Sequence, residues 1–289
     1  MEQSTDFETA SRSLPQRRMR SVGLRRMLIP SLLQSALDRL LPGCCVLCGG
    51  DGPGPICADC SARWLPEAGA QRAATPAAAA DPRCTCCAIR LASALNGDLC
   101  DACTHAPPSF DRTVVLADYA PPLDSLLLAL KFRACLPLAR ALGSLLARKV
   151  MMTHAAETGD ALRDIAPSGP APVLLPVPLS RERLAERGFN QAHEIARPLA
   201  RALQLPLASG LCVRVRHTDA QASLPLAERR VNMRSAFAVP RPQAIVGQAL
   251  FVVDDVMTTG HTLEALAACL KRHGATHVTN LVIARTPAR

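Results

Sequence analysis

At 289 residues, 49% of them hydrophobic, the chain has enough material for one well-packed α/β domain and a smaller module. A formal charge of +9 favours an anionic partner such as nucleic acid, a phosphorylated metabolite or a membrane surface. No run approaches the roughly 20 apolar residues that cross a bilayer, so no integral membrane segment is expected.

Residues 1–42 read as a flexible basic extension. Arg17, Arg18, Arg20, Arg25 and Arg26 precede the apolar run from Met27 to Leu41, which suits a short amphipathic surface helix or part of a transit peptide. Glu2, Asp6 and Glu8 fit a transit peptide poorly, and no small-residue cleavage site follows.

Ten of the 13 cysteines lie between Cys44 and Cys103. They include four Cys-x-x-Cys pairs: Cys45 with Cys48, Cys57 with Cys60, Cys84 with Cys87, and Cys100 with Cys103. Two thiolates at that spacing share one tight turn, and two such turns complete a tetrahedral site, so four pairs imply two structural Zn²⁺ ions. Chain order groups Cys45, Cys48, Cys57 and Cys60 in one site and Cys84, Cys87, Cys100 and Cys103 in the other, with an interleaved pairing as the alternative. Cys44 and Cys86 are spare neighbours, and His105 is an alternative ligand. A disulfide framework would need an oxidising compartment, yet no secretory signal is visible, and the expected location is cytoplasmic. Residues 43–108 are therefore expected to form a small module built on two zinc sites, interrupted by an Ala/Pro-rich linker at 66–82.

From about residue 109 short β-rich runs alternate with helical periodicity, the pattern of a parallel sheet with flanking helices. Candidate strands are Thr113 to Asp118, Val173 to Val177, Leu211 to Val215, Ala249 to Asp254 and His277 to Ala284. The clearest helix begins near His261, presents Leu263, Leu266, Ala267 and Leu270 as one stripe, and stops at Gly274. Between strand and helix, residues 251–262 read FVVDDVMTTGHT. Asp254 and Asp255 are expected to cap the strand. Backbone amides and hydroxyls of Thr258, Thr259, Gly260, His261 and Thr262 then meet a positive helix terminus, which suits a phosphate dianion. Two carboxylates beside that cradle would repel a nucleotide's phosphates. They suit sugar hydroxyls and help hold Mg²⁺, so the pattern fits a ribose 5-phosphate.

These residues resemble the phosphoribosyl pyrophosphate motif of type I phosphoribosyltransferases. Further matches resemble the ComF family: residues 117–123 with Leu130, Lys131 and Phe132; Pro176 to Leu179 with Arg183; residues 187–191 reading RGFNQ; and Arg216, Thr218, Gln221, Arg229 and Asn232. The Cys-rich head fits as well, so the resemblance covers roughly residues 44 to 286. It implies a double zinc ribbon joined to a phosphoribosyltransferase-like domain over 109–289, phosphoribosyl pyrophosphate as ligand with Mg²⁺, and a part in bacterial competence and DNA uptake. Single-stranded DNA and the competence machinery are then candidate partners.

The resemblance assigns ribose contacts and catalysis to Asp254 and Asp255, and makes Lys131, Arg183 and Arg187 candidates for facing the pyrophosphate. Residues 216–232 are either a mobile hood carrying Arg229 and Arg230 or a surface helix. His261 departs from the small residue common at its position. Purine-salvage members of the fold carry an aspartate where this chain has Thr258, and a threonine is a poor general base. Two classes of function therefore stand: a phosphoribosyltransferase with an unnamed acceptor, or a noncatalytic sensor or DNA-handling module. Only 8 of 289 residues are aromatic, which leaves few platforms for stacking a base.

Overall fold

A computed structural model describes residues 43–52, 54–64, 82–92, 99–158, 171–215 and 236–287. The basic extension, the linker at 66–81 and the hood residues Arg216, Thr218, Gln221, Arg229, Arg230 and Asn232 lie outside the described residues.

Strands β3 (Arg112–Asp118), β4 (Val173–Pro176), β7 (Ala249–Met257) and β8 (His277–Arg285) form one parallel sheet in the order β3-β8-β7-β4. Ala249 to Val253 of β7 and Leu281 to Ala284 of β8 are apolar on both sides, and both faces of the sheet are covered, as is usual for parallel sheets. Register follows from that pattern: Phe251 lies beside Thr279, Val252 beside Asn280, and Leu175 beside Val252. On one face Phe251, Val253, Leu281 and Ile283 pack against α3 (Leu123–Arg133), α4 (Leu136–Thr158) and α6 (Gln191–Leu203). On the other, Leu250, Val252, Val278 and Val282 pack against α7 (His261–Arg272).

The α6 stripe of Ala192, Ile195, Ala196, Leu199 and Leu203 is wholly buried, the spacing expected of one helix face. The side chain of Asn190 caps this helix by accepting from the Ala192 amide at 3.0 Å. Helix α4 approaches closely enough that a Cβ on Gly143 would lie 2.5 Å from the Ile195 carbonyl oxygen, so no larger residue fits there. Helix α7 ends as its sequence suggests, with Gly274 at φ +90°.

Two expectations change. Asp254 and Asp255 do not cap β7, since the strand runs on to Met257 and holds both carboxylates within its pleat. The run from Leu211 to Val215 does not enter the parallel sheet. Only β5 (Val213–Arg214) is extended there, pairing antiparallel with β6 (Phe237–Ala238). Cys212 is buried while Val213 and Val215 are 39% and 56% exposed, an alternation typical of a ribbon with one wet face.

In the Cys-rich region, β1 (Gly43–Cys44) pairs with β2 (Asp51–Gly52), followed by α1 (Ala58–Trp64); a second pair of turns leads into α2 (Asp101–His105). This second portion lies along the outer edge of the sheet, where the Thr113 amide of β3 donates to the Thr85 carbonyl at 3.1 Å. At the opposite edge, Leu174 of β4 exchanges backbone hydrogen bonds with Pro206 and Ala208. Among the described residues no helix is long and apolar enough to cross a membrane.

Candidate functional site

Successive residues of a strand point to opposite faces, so the adjacent acids of β7 reach different surroundings. Asp255 turns toward α3, where its Oδ2 lies 2.6 Å from Lys131 Nζ, and it is only 4% exposed. Its Oδ1 accepts from the Val256 amide at 3.0 Å. Asp254 Oδ1 accepts from the Asp255 amide at 2.9 Å. Burial, then the Asp255 charge beside it, pushes the Asp254 carboxyl up to about 8, with the Asp255 amide and Lys131 pulling the other way.

Lys131 and the acidic pair, far apart in sequence, are thus brought together. The lysine is held on Asp255.

Beyond Met257 the chain emerges at the carboxyl edge of the sheet. Thr258, Thr259 and His261 are exposed, while Gly260 and Thr262 are half-buried. Gly260 stands at φ +81°, so the backbone demands glycine, whereas the Met257 Cε that a Cβ would meet at 2.7 Å is the movable end of a flexible side chain. Gly260 is also the N-cap of α7 and brings no side-chain acceptor to its first turn. The orphan amides of that turn are therefore left for an anion, and the helix dipole favours one. The His261 side chain belongs to the exposed surface.

The carbonyl side of the same loop is fastened from below. Arg285, at the end of β8 and only 7% exposed, donates through Nη1 to the carbonyls of Met257 (3.2 Å), Thr258 and Thr286 (3.0 Å).

A further guanidinium, that of Arg214, feels the charge of Asp254. Burial and the nearby charge of Arg183 lower the Arg214 pKa, and Asp254 opposes the shift, so the three groups share one electrostatic neighbourhood. Arg214 also lies over the Phe237 ring, 5.7 Å from its centroid. A pair of like charges held together beside a carboxylate is suited to a polyanion. Arg214 was not legible as a site residue, because one arginine in a short apolar run carries no local motif. Arg187, in the last turn of α5 (Arg181–Arg187), stacks instead on Phe132 at 5.8 Å. Within the RGFNQ stretch Asn190 is structural, its Nδ2 donating to the Val177 carbonyl at 2.9 Å and so fixing the turn after β4.

The cysteines assemble in chain order. Sulfur atoms of Cys45, Cys48, Cys57 and Cys60, and of Cys84, Cys87, Cys100 and Cys103, lie within 4.8 Å of one another in each group. Cys48 and Cys57 sulfurs are 3.8 Å apart, and those of Cys87 and Cys100 are 3.6 Å apart. A Zn–S bond of about 2.3 Å in a tetrahedron implies S–S edges of about 3.8 Å, so both clusters fit zinc. Burial raises the Cys45 pKa, but the amides of Cys57, Cys48 and Leu47 outweigh it and bring the thiol down to about 6, while burial and the neighbouring cysteines push Cys60 up to about 12. The interleaved pairing and the spare ligands drop out. Cys86 instead points its thiol at the Phe110 carbonyl (3.7 Å), and the His105 ring bonds the Asp101 carbonyl at 2.8 Å. Four sulfurs close each site, leaving no open position for substrate.

The sequence pattern of the phosphoribosyl transferase domain family matches residues 189–289. The DNA utilization protein YhgH of Escherichia coli O157:H7 is 38% identical over 188 residues, covering 65% of this chain and 78% of that protein. Competence protein F of Haemophilus influenzae is 31% identical over 183 residues, covering 62% and 75%. Competence protein ComFC of Bacillus subtilis is 36% identical over 115 residues, covering 39% and 45%. Similarity of that extent means that the chain belongs to the ComF family of phosphoribosyltransferase-domain proteins.

Proposed function

We propose that the chain binds phosphoribosyl pyrophosphate at the carboxyl end of β7 and serves the DNA utilization and competence for which its relatives are named. The observation that carries this reading is the juxtaposition of an acidic pair with a glycine-capped helix terminus. One end suits ribose hydroxyls and the other a phosphate dianion. Thr258, Thr259, Gly260, His261 and Thr262 surround the 5-phosphate. Asp254 and Asp255 accept from the ribose hydroxyls, with Lys131 holding Asp255 in place. Arg183 and Arg214 face the pyrophosphate.

Oxygen donors at Asp254 and Asp255 also fit Mg²⁺, which would offset charge on the departing pyrophosphate. Because Thr258 is a poor general base, an acceptor must either need little activation or be activated by a group from elsewhere. The domain boundaries that follow are a zinc ribbon over 43–108 and a phosphoribosyltransferase-like domain over 109–289.

Binding should depend on pH in a defined direction. Stability contributed by neutral Asp254 is fully present below the ordinary carboxyl range and is lost as pH rises through about 8. A ligand or cation that needs the carboxylate must displace that proton. Calorimetric titration with phosphoribosyl pyrophosphate and Mg²⁺ should therefore show saturable binding that tightens by up to about tenfold per pH unit from 6 toward 8. No saturable binding would overturn the reading, and a flat pH response would remove Asp254 from it. Pyrophosphate release with and without candidate nucleobases then separates an enzyme from a sensor.

A specific observation favours a DNA contact at the same edge. Phe132 is 72% exposed, lies beside Lys131 in α3, and carries the Arg187 guanidinium 5.8 Å from its ring, making an aromatic and cationic platform. Single-stranded oligothymidylate should bind with an affinity that falls steeply with salt, and Phe132→Ala should weaken it about five- to a hundredfold at fixed salt, the usual range for one stacked base. Saturating phosphoribosyl pyrophosphate with Mg²⁺ should compete with it. An unchanged affinity in Phe132→Ala removes the platform, and an absence of competition places any DNA contact elsewhere.

A further inference from the structure

The second four-cysteine cluster is linked to the candidate phosphate loop and to the first turn of α7 through intervening side chains. On one side, the Cys87 carbonyl accepts from Arg285 Nε at 3.0 Å. The same guanidinium holds the Met257 and Thr258 carbonyls, so one buried side chain separates a metal ligand from the first residue of the loop. On the other side, the Ser109 amide and hydroxyl both donate to Glu264, at 2.6 Å to Oε2 and 2.7 Å to Oε1. Ser109 follows α2, which carries Cys103, and Glu264 sits in the first turn of α7.

The cluster itself is pinned to the sheet. Asp118, at the end of β3, pairs with Arg83 at 2.8 Å and with Arg90, on either side of the Cys84 to Cys87 turn. The first cluster has a different setting. Its Leu47 and Ile56 lean on the core formed with α3, α4 and α6, on the sheet face away from α7.

We infer that the second cluster, and not the first, sets the shape of the 258–260 loop and the first turn of α7, so that its metal occupancy controls phosphate binding there. Arg285 is the positioning residue. Five donors in a rigid fork let one guanidinium serve carbonyls on both sides, which a lysine ammonium cannot reproduce. When the cluster loses its ion, the turn that aims the Cys87 carbonyl loses its constraint. A buried guanidinium that loses an acceptor must reorient to find another, and the loop carbonyls it holds move with it. The cluster closed by four sulfurs thus acts on the ligand site without touching ligand. The inference rests on the reading of the loop as a phosphate cradle, and its structural half can be measured without any ligand.

The test compares full-length, metal-loaded wild-type protein with Cys87→Ser, Cys48→Ser and Arg285→Lys. Three quantities are read: zinc per chain, amide hydrogen exchange across 257–264, and affinity for ribose 5-phosphate without added divalent cation. Cys87→Ser and Arg285→Lys should speed exchange across 257–264 and weaken ribose 5-phosphate at least tenfold, while Cys48→Ser leaves both within about twofold of wild type. Arg285→Lys should do so with its zinc content intact, which a general loss of the metal head would not produce. Wild-type exchange at 257–264 in Arg285→Lys overturns the proposal. So does an equal effect from Cys48→Ser. Should Cys87→Ser fail to fold, Arg285→Lys decides alone, since it keeps all eight cysteines of the two clusters. If exchange responds as stated but wild-type protein binds no ribose 5-phosphate, the linkage stands and the phosphate-cradle reading falls.

Discussion

Replacing Asp254 and Asp255 together by asparagine should weaken phosphoribosyl pyrophosphate binding at least tens of fold while leaving the domain folded. Each carboxylate is proposed to accept a hydrogen bond from a ribose hydroxyl, and bonds to charged groups contribute about 1.5 to 3 kcal/mol each. Asparagine keeps the size of the side chain and an oxygen for the amides of Asp255 and Val256, which those carboxylates now serve. The variant therefore tests charge rather than packing. It also removes an unfavourable arrangement, since Asp254 is half-buried beside a second acid and its pKa is pushed up to about 8. Asp254→Asn alone should accordingly raise the melting temperature at pH 8 and above, where the native carboxyl must ionise, even as binding is lost. Calorimetry and a melting curve on the same sample decide it. Unchanged affinity in a folded double variant would refute the assignment.

Purified under reducing conditions, the protein should carry about two zinc ions per chain, one for each four-cysteine cluster. Stripping them should unfold the head rather than merely loosen it. Apparent binding free energies of structural zinc are about 10 to 16 kcal/mol, comparable with the whole stability of a typical domain, at about 5 to 15 kcal/mol. Cys84→Ser and Cys103→Ser should be the most damaging single changes, because both ligands are buried in the same core as Phe110, Leu263 and Leu266. Elemental analysis and thermal melts with and without chelator measure both effects. Zinc-free protein with a wild-type melting curve would exclude the metal reading.

Much of this site was legible because its chemistry is contiguous. The strand, acidic pair, threonine loop and helix start occupy residues 249–262 in one run, and local periodicity alone marks their order. The ligand sets were legible for the same reason, since Cys-x-x-Cys spacing is a property of a single turn. What the sequence did not yield depends on contacts distant along the chain. Lys131 was foreseen at the site but not its ion pair with Asp255, which needs α3 packed over β7. Arg214 and Arg285 gave no signal, because nothing local separates a buried, loop-holding guanidinium from a solvated one. The strand from Leu211 to Val215 was misplaced because short apolar runs read alike whether they join a sheet or form a two-residue ribbon.

The backbone bond from Thr113 to Thr85 has a meaning separate from ligand binding. A parallel sheet of four strands has two flanks, and each offers a row of unpaired amides and carbonyls on which another chain can grow by strand addition. Here the β4 flank is occupied by the segment around Leu207. The β3 flank is shielded by the metal knuckle. By taking the Thr113 amide, the knuckle leaves less of that flank open to a further strand, so an edge that a bare sheet would offer is covered by the metal module.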